Sequence, residues 1–169
     1  MRGSQMEERL QSAPTTGAAN EVRQYLTFTL HDEEYAIDIL KVQEIKGMSK
    51  ITPIPNSPSY VRGVMNLRGT VVPIMDLRAR FSMPEVEATH FTVIIVVNVG
   101  SKVVGLVVDT VSDVLNISSG DVEPTPELAG SLDTSFITGL AKSDQKLITL
   151  LNIDKLVSRE DLVSGDLAA

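Results

Sequence analysis

The residues of this chain whose types and spacing come nearest to a chemical pattern are carboxylates. None of its 169 residues is cysteine, so thiolate nucleophiles, disulfides and cysteine-ligated zinc are excluded. Its two histidines, His31 and His90, lie far from the HExxH spacing of a metal-binding helix, and neither has a recognisable Ser or Asp partner. No P-loop and no GxGxxG run is present, so nucleotide binding has no support. The nearest approach to an acid–base pair is Glu33-Glu34 with Asp38. Those glutamates fall in a predicted hairpin turn, where a solvated charge is ordinary. Asp109 and Asp113 have the four-residue spacing of one helix face, but the residues around them alternate as a strand does. They read as turn and edge charges. The formal charge of −7 and 4% aromatic content also oppose a nucleic-acid groove, which needs clustered cations and stacking platforms. A binding role is left.

The elements that must present such a surface are strands. Val and Ile number 32 against seven aromatic residues, and β-branched side chains pack well on a pleated sheet. The pattern also repeats. Val42, Glu44 and Ile45 match Val111, Asp113 and Val114 at an offset of 69, and Val61–Val64 and Val71–Leu77 match Ile137–Leu140 and Leu147–Ile153 at an offset of 76. The seven added residues belong to the loop Gly120–Leu132. Each half reads as a strand (Gln24–Leu30; Thr92–Val99), a polar turn, and a return strand (Tyr35–Ile39; Val103–Val108) that runs on into a third (Leu40–Ile45; Thr110–Leu115). A Pro-bearing loop and a two-strand hairpin follow. About five short strands per half suit small barrels or sandwiches. A half this small buries little surface alone, so the two are expected to share a hydrophobic interface. The near-continuous apolar runs of the second half predict strands covered on both faces. Helix is predicted only at Ser59–Met65, after Leu77 and at Asp154–Glu160.

The expected organisation is a disordered lead-in over 1–21, a first barrel over 22–86, a second barrel with a terminal helix over 87–160, and a tail over 161–169. Met1-Arg2-Gly3-Ser4 reads as a vector scar. The longest apolar stretch, Phe91–Val99, is interrupted by Thr92 and Asn98 and is far short of the roughly 20 residues that span a bilayer. A cytoplasmic protein is expected.

Three ordered segments, Phe28–Ile45, Val61–Leu77 and Val104–Val114, resemble the CheW family of bacterial chemotaxis coupling proteins. Asn66-Leu-Arg-Gly-Thr70, followed by Val71-Val-Pro-Ile-Met-Asp-Leu77, is the most specific piece. The resemblance runs from about Glu21 to about Glu160. It implies a mainly β fold of two SH3-like five-stranded β-barrels with few short helices, the first strand being one that family members often share with the second barrel. It also implies a non-enzymatic adaptor without cofactor or metal. That adaptor joins the cytoplasmic tip of methyl-accepting chemoreceptors, taken in the groove between the barrels, to the regulatory domain of the histidine kinase CheA, met at one edge of the first barrel. Its place would be at receptor arrays on the inner face of the membrane, without insertion into it.

Carried onto this sequence, the receptor-binding positions are Val42, Glu44, Asn66, Leu67 and Arg68, and the kinase-binding positions are Ile51, Pro53, Ile54, Arg62 and Gly63. Alternatives stay open at several of them. Glu44 and Arg68 each stand in an apolar stretch and either orient a partner or pair with each other. Gly63 serves a tight backbone approach or the kinase contact. Arg62 is a rim charge or merely solvated, and Ile51, Pro53 and Ile54 form an exposed patch or a buried loop. A CheW-like regulatory module of a larger kinase, or of a receiver-fused coupling protein, is the nearest alternative; the short tails favour a separate adaptor.

Overall fold

The computed structural model describes residues 21–125 and 135–157, and the expectations for 1–20, 126–134 and 158–169 lie outside them. A hairpin opens the chain: β1 (Val22–Leu30) and β2 (Glu33–Asp38), joined through His31 and Asp32 at φ 51° and 66°. Two positive φ values give the type I′ turn whose twist matches the strands it joins. A single 3-10 turn, Ile39–Lys41, is capped by Asp38, whose Oδ1 accepts from the Leu40 N–H at 2.9 Å. Then come β3 (Val42–Gly47), the hairpin β4 (Val61–Leu67) and β5 (Thr70–Asp76), and the short helix α1 (Leu77–Arg80). The second half runs β6 (Val93–Val99), β7 (Lys102–Val108), β8 (Thr110–Ser118), a 3-10 turn, β9 (Val122–Glu123), β10 (Ile137–Ser143), β11 (Lys146–Leu151) and α2 (Ile153–Leu156).

Three local expectations differ. Ser59–Met65 is not helical: burial alternates from Val61 to Leu67 with period two, and the segment is β4. The third strand begins at Val42 rather than Leu40, because the Asp38 cap spends residues 39–41 on the 3-10 turn. The loop after Gly120 contains β9, a strand too short to show in the sequence pattern.

The sheets do not follow the two halves of the chain. One has the order β3-β6-β7-β5-β4 and the other β8-β1-β2-β11-β10-β9. Residues 22–86 therefore do not form the first barrel by themselves. The sharing implied for strand 24–30 extends to its whole hairpin: β1 pairs with β8 and β2 with β11, while β6 pairs with β3 and β7 with β5. A short link imposes the crossing in the second half. One residue, Asp109, separates β7 from β8. An antiparallel return takes at least a two-residue turn, so the chain there crosses directly from one sheet to the other. Between β2 and β3 the Asp38-capped 3-10 turn makes the corresponding crossing. Neither half can close a barrel alone.

Both sheets close in the same manner. In barrel one (β3–β7), Thr52 beyond β3 exchanges two 2.8 Å backbone hydrogen bonds with Val64 of β4. In barrel two, β9 beyond β8 pairs with β10. A glycine permits each closure. A Cβ on Gly63, at φ 142°, would stand 2.0 Å from the Thr52 carbonyl oxygen, and one on Gly139 would stand 2.8 Å from that of Glu123.

Among the described residues there are three apolar cores. Met65, Val72 and Ile74 belong to the interior of barrel one, and Ala36, Ile148 and Leu150 to that of barrel two. The largest core lies between them, where Leu26, Phe28 and Leu30 of β1 meet Ile95, Val97 and Leu106. This is the expected shared interface. Ile94 and Val96 face barrel one while Ile95 and Val97 face the join, which is why β6 is apolar at every position from 94 to 97.

Candidate functional site

The candidate receptor-side residues gather where the β4–β5 turn reaches β3. That turn is Arg68-Gly69, at φ 50° and 89°, and the Asn66 Oδ1 accepts from the Gly69 N–H at 2.8 Å to tighten it. Arginine at a left-handed position carries a backbone cost that glycine would avoid. Its side chain, two-thirds exposed, lies over the Glu44 carboxylate with both terminal nitrogens directed at it. The hydrogen bond from Arg68 holds the Glu44 carboxyl below the ordinary carboxylate range, and the same contact raises the guanidinium. Val42 opens β3, half-buried against the core between the barrels. Leu67 is not beside these groups on the surface. Period two turns its side chain into barrel one at 6% exposure, where it anchors the turn from beneath.

The candidate kinase-side residues gather where barrel one closes. Ile51 is half-buried on the barrel-one core, Pro53 is exposed, and the Ile54 carbonyl accepts from Ser57 Oγ at 2.9 Å. Gly63 is buried beneath this loop, and its lack of a side chain lets Thr52 and Pro53 lie on β4. Arg62, with about a third of its side chain exposed, is held by an ion pair at the edge of barrel one. Its Nε and Nη2 donate to Asp76 Oδ2 at 3.1 and 3.0 Å.

Asp76 serves twice, since its Oδ1 also caps α1 by accepting from the Arg78 N–H at 3.0 Å. Sequence reasoning passed over it. The signal was there, in a residue with a capping side chain just before the predicted turn at Leu77. Asp109, read as a turn charge, accepts a two-pronged hydrogen bond from Arg78 at 2.7 Å per prong. Burial by itself would raise the Asp109 carboxyl. The bonds from Arg78 and the His31 N–H, with the attraction of the Arg78 cation, outweigh it and hold the group below its usual range. Asp109 stood out in the sequence only as a turn charge, and its pairing with Arg78 left no local trace because the two are 31 residues apart.

Glu33 and Glu34 stand at the start of β2. The Glu34 Oε2 accepts from the Thr29 hydroxyl at 3.0 Å, so this carboxylate is engaged within barrel two. His90 packs its ring on Phe91 with centroids 4.1 Å apart. No helix among the described residues is long and apolar enough to cross a membrane.

Comparison with known proteins agrees with this architecture. A family profile described as a CheW-like domain matches residues 24–161. The chain is 47% identical over 144 residues to the chemotaxis protein CheW of Klebsiella aerogenes, with 85% of this chain and 87% of that one covered. The chemotaxis protein CheW of Rhizobium meliloti is 42% identical over 139 residues, covering 82% and 90%. Among solved structures, the crystal structure of scaffolding protein TtCheW from Thermoanaerobacter tengcongensis matches with a TM-score of 0.74 at 34% identity, over 80% of this chain and 88% of that one.

Proposed function

The chain belongs to the CheW family of chemotaxis proteins, and from that premise we propose that it couples chemoreceptor tips to the histidine kinase CheA by contact alone. Its role is that of a chemotaxis scaffold. The observation that carries the finer reading is the exposed Glu44–Arg68 pair beside Val42. A charged pair at the border of an apolar seam suits an amphipathic helix, which binds through apolar anchors and is oriented by polar contacts at the rim. Val42, Glu44, Asn66 and Arg68 contact the receptor tip, and Leu67 supports them from within barrel one. The kinase regulatory domain lies on the closure of barrel one, at Ile51, Pro53 and Ile54, with Arg62 and Gly63 shaping the edge beneath. Each contact is individually modest, and receptor arrays raise the effective concentration of all three partners. The chain thereby works at the inner face of the membrane, held there by its partners.

Reconstitution of kinase autophosphorylation with receptor signalling fragments tests this directly. Activity is expected to rise only when the kinase, the receptor fragment and this chain are together, and Arg68→Ala is expected to lower the rise about tenfold. Equal kinase activity with and without the chain would overturn the proposal.

A further inference from the structure

Arg62 is the extra residue of a β-bulge. Val61 pairs with Met75 and Gly63 with Ile74, so β4 spends two steps where β5 spends one. A bulge re-aims its extra side chain out of the alternation of the strand, and this one carries its guanidinium to Asp76 at the end of β5. Asp76 is itself fixed from two other directions. Its N–H donates to the Tyr60 carbonyl at 2.7 Å, and its Oδ1 accepts from the Arg78 N–H at the start of α1. Its side chain is only 13% exposed, whereas 35% of the Arg62 side chain stays in solvent.

Barrel two separates the two duties of this carboxylate. The same bulge is present there, with Ile137 opposite Leu151, Gly139 opposite Leu150, and Thr138 as the extra residue. At the offset of 76 the place of Asp76 is taken by Asn152, whose Oδ1 accepts from the Lys155 N–H at 3.2 Å and caps α2. A neutral amide therefore suffices for the cap. Where the bulge carries an arginine the capping residue is an acid, and where it carries a threonine it is an amide. The charge at position 76 answers to Arg62 and not to the helix.

The shape of the guanidinium says what is left over. It is planar and carries five N–H donors. Nε and Nη2 converge on a single oxygen of Asp76, which leaves Nη1 and the outer N–H of Nη2 as a second, parallel pair at the far end of the plane. Two parallel donors match the two oxygens of a carboxylate. Gly63 follows Arg62 directly and underlies Pro53, so this pair stands at the border of the apolar part of the same edge. Tethered by Asp76, it is aimed before a partner arrives, and the partner need not immobilise a long flexible side chain.

We infer that Asp76 is a positioning residue for the edge proposed to meet the kinase: it fixes the plane of Arg62 so that the outer N–H pair receives a carboxylate of the kinase regulatory domain. The inference rests on the adaptor reading and on the place of Arg62 at that edge.

A double-mutant cycle on the full chain, read as binding to the intact kinase by titration calorimetry, tests it. Arg62→Ala is expected to weaken binding about tenfold and to reduce its dependence on salt. Asp76→Asn keeps the volume and, as Asn152 does in barrel two, the cap, but sets an amide NH2 against the guanidinium in place of an acceptor. It is expected to weaken binding about fivefold, and to have no further effect in the Arg62→Ala background. A merely structural role for Asp76 would lower binding by the same factor in both backgrounds, and that result overturns the inference, as does full binding by Asp76→Asn. Salt dependence that is the same with and without Arg62 overturns the carboxylate as the recipient. Should Asp76→Asn fail to fold, Asp76→Ser retains a capping oxygen and takes its place in the cycle with the same expectations. Full binding by Arg62→Ala removes Arg62 from the kinase edge and overturns the inference with it. An unaltered chain that does not bind the kinase overturns the adaptor reading itself, whereas the additive cycle overturns the inference alone.

Discussion

The turns Arg68-Gly69 in barrel one and Asp144-Gln145 in barrel two have closely similar backbones, with first φ values of 50° and 51°, and carry opposite charges. Around them the barrels correspond residue for residue. Glu44 lies opposite Val96 and Asp113 opposite Thr27, partners related by the same offset of 69. Asp76 caps α1 and Asn152 caps α2. Gly63 and Gly139 admit the closing strand in each. What corresponds is what a small barrel needs to close. The surface does not correspond: barrel one sets Arg68 on Glu44, whereas the equivalent places in barrel two are both aspartate and cannot pair. At the join, Arg80 of α1 stands where α2 has the fully buried Leu156. The two halves share the scaffold, and the recognition proposed for Glu44 and Arg68 falls where they diverge.

The comparison can be broken at its closures first. Gly63→Ala is expected to cost about 4 kcal/mol or more, because a strained φ and a backbone clash fall on one residue. Gly139→Ala is expected to cost about 1–3 kcal/mol, since its backbone is not left-handed and the Glu123 carbonyl stands farther off, at 2.8 Å, than Thr52 does from Gly63. Urea unfolding checks both, and equal losses would show that the closures are energetically alike. Phe28→Ala tests whether the barrels are separable at all. It removes a ring from the shared core at a cost of about 3–5 kcal/mol, and amides of both barrels are expected to lose hydrogen-exchange protection together. Protection lost in barrel two alone would make the barrels independent units.

Acid probes the join more gently. The folded pKa of Asp109 lies below its unfolded value of about 4, so its ionised form stabilises the protein above that pH. That contribution disappears as pH falls through the folded value. Asp109→Asn is therefore expected to flatten the acid limb of a stability–pH profile below about pH 4 without altering its shape near neutrality. The smallest effect is expected at the surface pair. Arg68→Ala leaves the thermal midpoint almost unchanged, as exposed ion pairs do, although it weakens coupling. A large fall in the midpoint would make the pair a structural strut.

The repeat, the strands and the shared core were legible in the sequence because each leaves a local trace: an offset, an alternation, a run such as Ile94–Val97 that is apolar on both faces. The meeting of Glu44 with Arg68 was legible as a possibility, since each stands out from an apolar stretch. Leu67 could have been placed inside by following the alternation from Val61. The exchange of hairpins was harder to see, because the deciding feature is a link of one residue at Asp109, and only a count of what a turn requires reveals it. The Arg62–Asp76 and Arg78–Asp109 pairs join side chains whose proximity the fold creates, and no spacing announces them.

The exchanged hairpins also set a timetable for the nascent chain. Synthesis delivers β1 and β2 first, yet their partners β8 and β11 are complete only at Ser118 and Leu151. Barrel one has all its strands once Val108 has been made. At about 5–20 residues per second, the hairpin bearing Leu26, Phe28 and Leu30 waits several seconds on the ribosome for its strand partners, while the barrel encoded in the middle of the chain closes ahead of it and first covers its apolar face. The first strands to be translated thus wait the longest for their sheet neighbours, and for that interval their edges stay open.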